Sequence, residues 1–347
     1  MKKEKCFGLI WIIIGTFIGA GFVSGKEIYN YFSRFGILSI FMIVLATFLF
    51  YFFVKICLSV GRQINDRNNY YSECFGRAGS IFKLVLLIAN LILVGSMLAG
   101  SFEVFSMWLK KEIAYILVVA LMLLALYLIK RNFISVFSKI NTLLIPLLLS
   151  LILVVCIIYL SKCDYIVLNT NTSIFKATFS LIDYVCFNLL TVGVFLIEIG
   201  GNYSQNQINK ASLISSLIIG VFLEIIAITL FIANSLVASV AMPLVTISFS
   251  ISKVVGILMQ LAVFIGLFTS LISISFVSFN YINDKVQNKI LTSLIVFVIG
   301  VLISLLGFSF IVVNLYAVMG GLGLIFLISI FCYYMKISKQ KSCKKTL

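Results

Sequence analysis

The sequence predicts an all-α polytopic membrane protein with ten transmembrane helices, on two observations. The 347 residues are 62% hydrophobic and 11% charged, whereas soluble domains carry about 25% charged residues. Long apolar runs recur along the chain, and a run of roughly 20 apolar residues crosses a bilayer core as a helix. The sequence contains only 2 prolines, so we expect the spans to be helical.

Charged and polar breaks divide the chain into ten apolar segments. The segments are Phe7–Tyr31, Gly36–Val60, Ile81–Trp108, Ile113–Ile129, Val136–Leu160, Phe175–Gly200, Ala211–Ser235, Val254–Ile282, Ile290–Phe308 and Phe310–Met335. The last two abut, so a count of nine stays open. No intervening loop is long enough to form a domain, and the sequence predicts one transmembrane domain over residues 1–347.

The basic residues predict the orientation. Most of the 26 lysines and arginines lie at the segment ends on the side of the N-terminus, and such residues accumulate on the cytoplasmic side. We therefore expect a protein of the plasma membrane with both termini in the cytoplasm. The formal charge of +15 fits this topology and attraction to anionic membrane lipids, and no nucleic-acid partner is expected.

The residue types argue against an enzyme and against a resident cofactor. The sequence has no histidine, which removes the usual imidazole acid–base group and metal ligand. None of the 8 cysteines forms a C-x-x-C pair, so neither a zinc site nor a disulfide framework is expected. The oligomeric state stays open.

The two halves of the chain share one spacing rhythm. Each of the five segments in the second half begins at a nearly constant offset from its counterpart in the first half. An odd number of spans per half makes the second half enter the membrane from the opposite side, as in inverted-repeat transporters. The predicted repeats cover about residues 7–161 and 175–335.

The first segment is glycine-rich near its middle. Gly15, Gly19, Gly21 and Gly25 each cost roughly 1 kcal/mol of helix stability relative to alanine. Small residues four apart also permit close helix packing, which is the simpler interpretation. Because polar residues follow, including Ser24 and Glu27, we favour a discontinuous helix that bares backbone N–H and C=O groups.

The sixth segment carries Asn188, Thr191 and Gly193 near mid-depth. It is less rich in glycine than the first segment. A break here and a continuous helix both stay open.

The first segment also carries a resemblance. The run G-T-F-I-G-A-G-F-V-S-G-K-E-I from Gly15, followed by Tyr31–Gly36, resembles the first helix of the YkvI-like bacterial membrane proteins. These are members of the amino acid–polyamine–organocation superfamily, which has the LeuT-type 5+5 inverted-repeat fold. Met97–Gly100 and Asn188 resemble that family too, and the resemblance extends over essentially the whole chain.

The resemblance implies that helices 1 and 6 are both discontinuous and that the substrate site lies between them. Backbone N–H groups freed by a break would bind a carboxylate, and carbonyls and polar side chains of helix 6 would bind an amino group. The implied substrate-binding residues are Gly19, Ala20, Gly21, Phe22, Ser24, Ser96, Asn188 and Thr191.

The resemblance also implies a sodium site between helices 1 and 8. The implied ligands are the carbonyls of Gly15, Ile18 and Gly266 and the hydroxyls of Thr269 and Ser270. The alternative is that these hydroxyls bond back to the preceding helical turn. Proton-coupled relatives place a lysine in the fifth span, and here only Lys139 stands at its inner end, which favours Na⁺ as the coupling ion.

Glu224 lies near the middle of the seventh segment. A carboxylate at that depth costs at least about 2.5 kcal/mol to insert and normally faces a partner or water. Proton or ion coupling and a structural hydrogen bond both stay open for it.

Together these features predict a secondary active transporter of a small amino acid or related zwitterion, coupled to Na⁺. The alternative is a ligand-binding receptor subunit of the same fold, like a germinant permease, without net transport. A membrane enzyme is not expected, because no cluster of acids or metal motif is visible.

Overall fold

The structure is a computed structural model that describes residues 2–64, 75–76, 79–130, 134–162 and 173–343. Its membrane helices coincide with the predicted segments. The helices are α1 (Lys2–Phe17), α2 (Ala20–Ser24), α3 (Lys26–Tyr31), α4 (Leu38–Gln63), α5 (Gly79–Ser106), α6 (Lys111–Lys130), α7 (Ile134–Ser161), α8 (Ile174–Gly200), α9 (Gln205–Ile232), α10 (Asn234–Val237), α11 (Pro243–Ile251), α12 (Lys253–Val286), α13 (Lys289–Ser304), α14 (Phe308–Phe310) and α15 (Tyr316–Cys343), with a 3₁₀ turn at Ser33–Phe35 and a π-helical turn at Ile311–Leu315.

The protein is a multi-pass membrane protein. In the described ranges eight helices are long and apolar enough to cross a membrane, and two shorter apolar helices, Cys6–Phe17 and Lys289–Ser304, stand where the first and ninth spans were predicted. Gly307, at φ +83°, turns the chain between α13 and α14, which separates the two segments that abut in the sequence. Large apolar side chains such as Phe41 and Ile290 are exposed on the outer helix faces, where lipid contacts them.

Helix α8 is the most buried of these eight spans, and small residues let its neighbours approach it closely. A β-carbon on Gly61 of α4 would overlap the carbonyl of Ile197, and one on Gly200 would overlap the carbonyl of Leu58. Gly323 of α15 meets the carbonyl of Cys186 in the same way. Close backbone approach at small residues strengthens the packing of membrane helices. Both α4 and α15 pack against α8 in this way.

The predicted discontinuity of the sixth helix is wrong. Helix α8 runs unbroken from Ile174 to Gly200. The Asn188 side chain donates to the carbonyl of Tyr184 at 3.0 Å, and the Thr191 hydroxyl donates to the carbonyl of Asn188 at 2.9 Å. These polar side chains bond within their own helix, and Gly193 provides room for the Phe326 ring.

The connector between α9 and α12 contains two short helices that sequence reasoning missed. Helix α11 begins at Pro243, a position that suits the fixed φ and missing N–H of proline. The Lys26 ammonium donates to the carbonyl of Val240 at 2.8 Å, and the Tyr29 hydroxyl donates to Asn234 Oδ1 at 2.7 Å. These two bonds fasten the connector to α3.

Candidate functional site

The first membrane helix is broken at Ile18 and Gly19, as the glycine pattern predicted. Helix α1 ends at Phe17 and α2 begins at Ala20. The N–H of Gly19 turns back to the carbonyl of Phe17 at 3.0 Å, so the regular ladder stops. In the described part of the chain, no backbone hydrogen bond reaches the carbonyls of Gly15 and Ile18. The break therefore presents free carbonyls inside the bundle.

A second turn follows at Gly25, which lies at φ +80° and ends α2 after only five residues. The Ser24 hydroxyl donates to the carbonyl of Gly21 at 3.1 Å and accepts from the N–H of Lys26 at 3.2 Å. Ser24 is fully buried, and its two hydrogen bonds stabilise this turn. The chain then continues as α3 in a new direction.

The break opens onto a cavity of about 600 Å³, which we call the inner cavity. It extends from Gly8 near the start of α1 to Glu27 beyond the break, and α5, α8, α12 and Tyr316 form its other walls. Lys83, Glu198 and Tyr281, which also line it, lie at helix ends on the side of the N-terminus. The inner cavity therefore reaches from the middle of the bundle toward that side.

The structure brings together some of the predicted site residues. Gly19, Asn188 and Thr191 line the inner cavity, together with Gly15, Ile18 and Ser270 from the predicted sodium site. The predicted residues outside its described lining are Gly21, Phe22, Ser24, Ser96, Gly266, Thr269 and Glu224, and the Ala20 side chain lies outside the described part of the structure.

Ser96 is buried behind the cavity wall. Its hydroxyl lies 2.7 Å from the hydroxyl of Tyr316, and Tyr316 itself lines the inner cavity. Ser96 therefore orients a cavity residue. Thr269, on α12, donates its hydroxyl to the carbonyl of Gly266 at 3.2 Å, which is the back-bonding alternative considered for this position.

Glu224 stands apart from the inner cavity on α9. Both of its carboxylate oxygens are buried, and neither has a hydrogen-bond partner among the described residues.

Glu27 is the functional candidate that sequence reasoning missed. Its side chain is only 4% exposed and lines the inner cavity. Its carboxylate accepts a hydrogen bond from the N–H of Gly21, and a β-carbon on Gly21 would overlap that carboxylate. The hydroxyls of Tyr184 and Tyr316 are near enough to interact with its charge. The Glu27 carboxylate thus accepts from the Gly21 N–H, one of the backbone donors that were predicted to bind the substrate.

A second cavity of about 820 Å³, the outer cavity, lies at the other end of the bundle. Its lining includes Tyr31, Arg34, Lys176 and Asp183. Aromatic rings separate the two cavities: Tyr184 is buried against Tyr31, with ring centroids 5.3 Å apart, and Phe187 stacks on Tyr316 at 4.3 Å. We call Tyr31, Tyr184, Phe187 and Tyr316 the aromatic layer.

The overall arrangement matches solved transporter structures. The manganese transporter of Eremococcus coleocola, solved with an aromatic bis-isothiourea substituted compound, superposes with a TM-score of 0.63 at 15% identity, over 93% of this chain and 77% of that one. The inward-facing conformation of Mhp1 gives 0.60 at 13% identity, over 92% of this chain and 73% of that one. The chain has the LeuT-type fold. In this LeuT-type bundle, α1–α3 together form the first helix and α8 the sixth.

The sequence comparison agrees with the resemblance seen in the first helix. The chain is 22% identical over 343 residues to the uncharacterised membrane protein YkvI of Bacillus subtilis (strain 168), covering 95% of this chain and 96% of that protein. No family model matches the sequence. The predicted resemblance to YkvI and to LeuT-type membrane proteins is confirmed.

Proposed function

We propose that this protein is a secondary active transporter of a small amino acid or related zwitterion. One observation carries the proposal: the helix break at Ile18 and Gly19 opens onto the inner cavity within a fold shared with transporters. Its volume of about 600 Å³ lies in the range of ligand cavities, roughly 300–1,000 Å³. With the predicted cytoplasmic termini, the cavity faces inward.

Polar groups for a solute converge at the break. Gly15 and Ile18, whose carbonyls accept no backbone hydrogen bond in the described part of the chain, line the inner cavity. Asn188 and Thr191 line it from α8. Mid-membrane sites at discontinuous helices are typical of such transporters. In the described ranges no group of three or more Cys, Asp or Glu side chains is placed to hold a metal ion, so manganese transport is not carried over from the structural neighbour.

The proposed coupling ion is Na⁺. Gly15, Ile18 and Ser270 line the inner cavity, and unwound carbonyls coordinate Na⁺ in this class of transporter. Thr269 donates its proton to Gly266 and still has lone pairs that can bind a cation. Glu224 lies outside the cavity lining, and no described residue forms a hydrogen bond with its carboxylate, so we assign it neither to the coupling site nor to a structural hydrogen bond.

Uptake into proteoliposomes tests the proposal. Purified protein is first screened against the twenty amino acids by thermal shift with and without Na⁺, and the stabilising compounds are then offered as radiolabelled substrates. We expect accumulation driven by an inward Na⁺ gradient. Binding without accumulation would instead support the receptor alternative.

Removing the Thr269 or Ser270 hydroxyl tests the ion site. The variants Thr269→Ala and Ser270→Ala each remove one of the few proposed oxygen ligands. We therefore expect each variant to raise the Na⁺ concentration needed for stabilisation by about tenfold or more, which corresponds to a loss of roughly 1.4 kcal/mol of binding free energy. Ser275→Ala is the matched control, since Ser275 is buried on the same helix and is not one of the proposed sodium ligands. Unchanged Na⁺ dependence in both test variants would remove sodium from the proposal.

A further inference from the structure

We propose that Glu27 binds the positively charged amino group of the transported solute, so that the protonated amine is essential for recognition and the solute's carboxylate is dispensable. This inference rests on the proposed function and names the chemical class of its substrate. It follows from where Glu27 lies, from which groups surround it, and from which groups are too far away.

Glu27 occupies the place where a substrate carboxylate was predicted to bind. The N–H of Gly21 donates to the Glu27 carboxylate, and the Ser24 hydroxyl is engaged with Gly21 and Lys26. Helix α2 has only five residues, so it offers little dipole of its own. A solute that presents a carboxylate here would meet a second carboxylate, and like charges in a buried site repel strongly.

The surroundings of Glu27 supply no positive charge to balance its carboxylate. It is 4% exposed, and no lysine or arginine among the described residues acts on its charge. The neighbouring Lys26 points its ammonium to the carbonyl of Val240 instead. A buried carboxylate without a cationic partner is costly, and the inner cavity gives a positively charged solute direct access to it.

The cavity wall beside Glu27 also suits an ammonium group. Phe187 and Tyr316 stack at 4.3 Å and both line the inner cavity, and the Tyr316 hydroxyl is close enough to interact with Glu27. Aromatic faces attract cations electrostatically, by about 2 kcal/mol or more when the pair is desolvated. Carboxylate and aromatic faces together form a recognised type of amine site.

A carboxylate on a small solute finds no such partner nearby. Lys83 is the basic residue in the described lining of the inner cavity, near the start of α5. It lies thirteen residues before Ser96, whose hydroxyl contacts Tyr316, which is roughly 20 Å along a helix. Helical side chains also tilt toward the N-terminus, so Lys83 extends away from Glu27.

Ligand binding to purified protein in detergent tests the inference. The panel pairs valine and phenylalanine with isobutylamine and phenethylamine, which lack the carboxylate, and with N-acetylvaline and N-acetylphenylalanine, which lack the charged amine. We expect the Kd of the amines to lie within about tenfold of the Kd of the better-binding amino acid. The Kd of the acetylated acids should be at least about a hundredfold higher than that of the amines.

Variants assign the effect to Glu27. We expect Glu27→Gln to weaken amine binding by about tenfold or more, and Glu27→Asp, which keeps the charge, to retain part of it. Gly21→Ala, whose β-carbon would displace the Glu27 carboxylate, should also weaken it. Glu103→Gln is the control, because Glu103 lies outside the cavity lining and its removal should leave binding unchanged.

Two results would overturn the inference: acetylated acids that bind as well as amines, or undiminished amine binding by a folded Glu27→Gln protein. The second result would mean that a proton, not the solute, neutralises Glu27. Folding is checked by size-exclusion chromatography, and Glu27→Asp and Gly21→Ala supply the test if Glu27→Gln does not fold. Accumulation by wild-type proteoliposomes is measured separately, so failure of transport is distinguished from failure of the amine site.

Discussion

Two glycines in the first helix set the position of one acidic side chain. Gly25 adopts φ +80°, a left-handed conformation that costs other L-residues roughly 1–2 kcal/mol. This turn directs α3 so that Glu27 folds back over Gly21, where the absent side chain leaves room for the carboxylate. The chemistry at the break therefore depends on backbone conformation six residues away in sequence.

Gly25→Ala tests the importance of this turn. We expect it to lower the free energy of unfolding by about 1–2 kcal/mol, and more if Leu244, whose Cγ lies 2.9 Å from the added carbon, cannot move. The measurement is a thermal melt in detergent. The control is Gly321→Ala, a helical position with open space around it, which should be neutral or stabilising by up to about 1 kcal/mol. Equal melting of both variants would contradict the prediction.

The sequence predicted the break but not the role of Glu27. Composition and glycine spacing report where a helix is weak, and they predicted the break that the structure has at Ile18 and Gly19. On a straight helix, positions 21 and 27 point about 120° apart and are separated by about 9 Å along the axis, so nothing in their spacing brings them together. Only the left-handed turn at Gly25 does so, and a sequence alone does not give the direction in which the chain leaves such a turn.

At the scale of the elements, the two halves of the fold are unequal. The first helix is broken, whereas α8 is continuous from Ile174 to Gly200. Asn188 and Thr191 are the polar residues that suggested a second break, but such side chains can satisfy the backbone of their own helix. The sequence shows which polar groups lie at mid-depth, and tertiary packing against α4 and α15 decides how they are used.

The crossing of α4 and α8 gives a test of that packing. Gly61→Ala would place a carbon into the carbonyl of Ile197, and because backbone cannot yield as a flexible side chain does, the helices must separate. Overpacking of this kind typically costs about 1–3 kcal/mol. We expect a lower melting temperature than wild type, with Gly321→Ala again as the reference. A wild-type melting temperature would show that the two helices are not locked together here.

For the whole molecule, the apolar segments and their order were predicted correctly because length and hydropathy dominate membrane insertion. The connector helices α10 and α11 were missed, since they are too short for those signals. The two cavities were also beyond prediction, because they depend on how the helices tilt. The aromatic layer separates the two cavities, and only the inner cavity is lined by the residues of the helix break. The inverted repeat over residues 7–161 and 175–335 stays a prediction.

Cysteine labelling tests this arrangement in membranes. In a variant lacking the 8 native cysteines, Ser270→Cys lies in the inner cavity and Ser173→Cys in the outer one. We expect a membrane-impermeant maleimide to label Ser270→Cys in inverted vesicles and Ser173→Cys in right-side-out vesicles. Ser275→Cys, which is buried, should resist labelling in both. Labelling of Ser270→Cys only in right-side-out vesicles would reverse the assigned orientation.

The two bonds that fasten α3 to the connector have a mechanical consequence. Lys26 holds Val240 and Tyr29 holds Asn234, while α1 is joined to this assembly through the non-helical pair Ile18 and Gly19. Rotation about that pair leaves both bonds intact, whereas tilting the first helix as one rod would rupture them or drag the connector along. If the first helix moves, we therefore expect α1 to tilt about Ile18 and Gly19 while α2 and α3 stay in place with the connector.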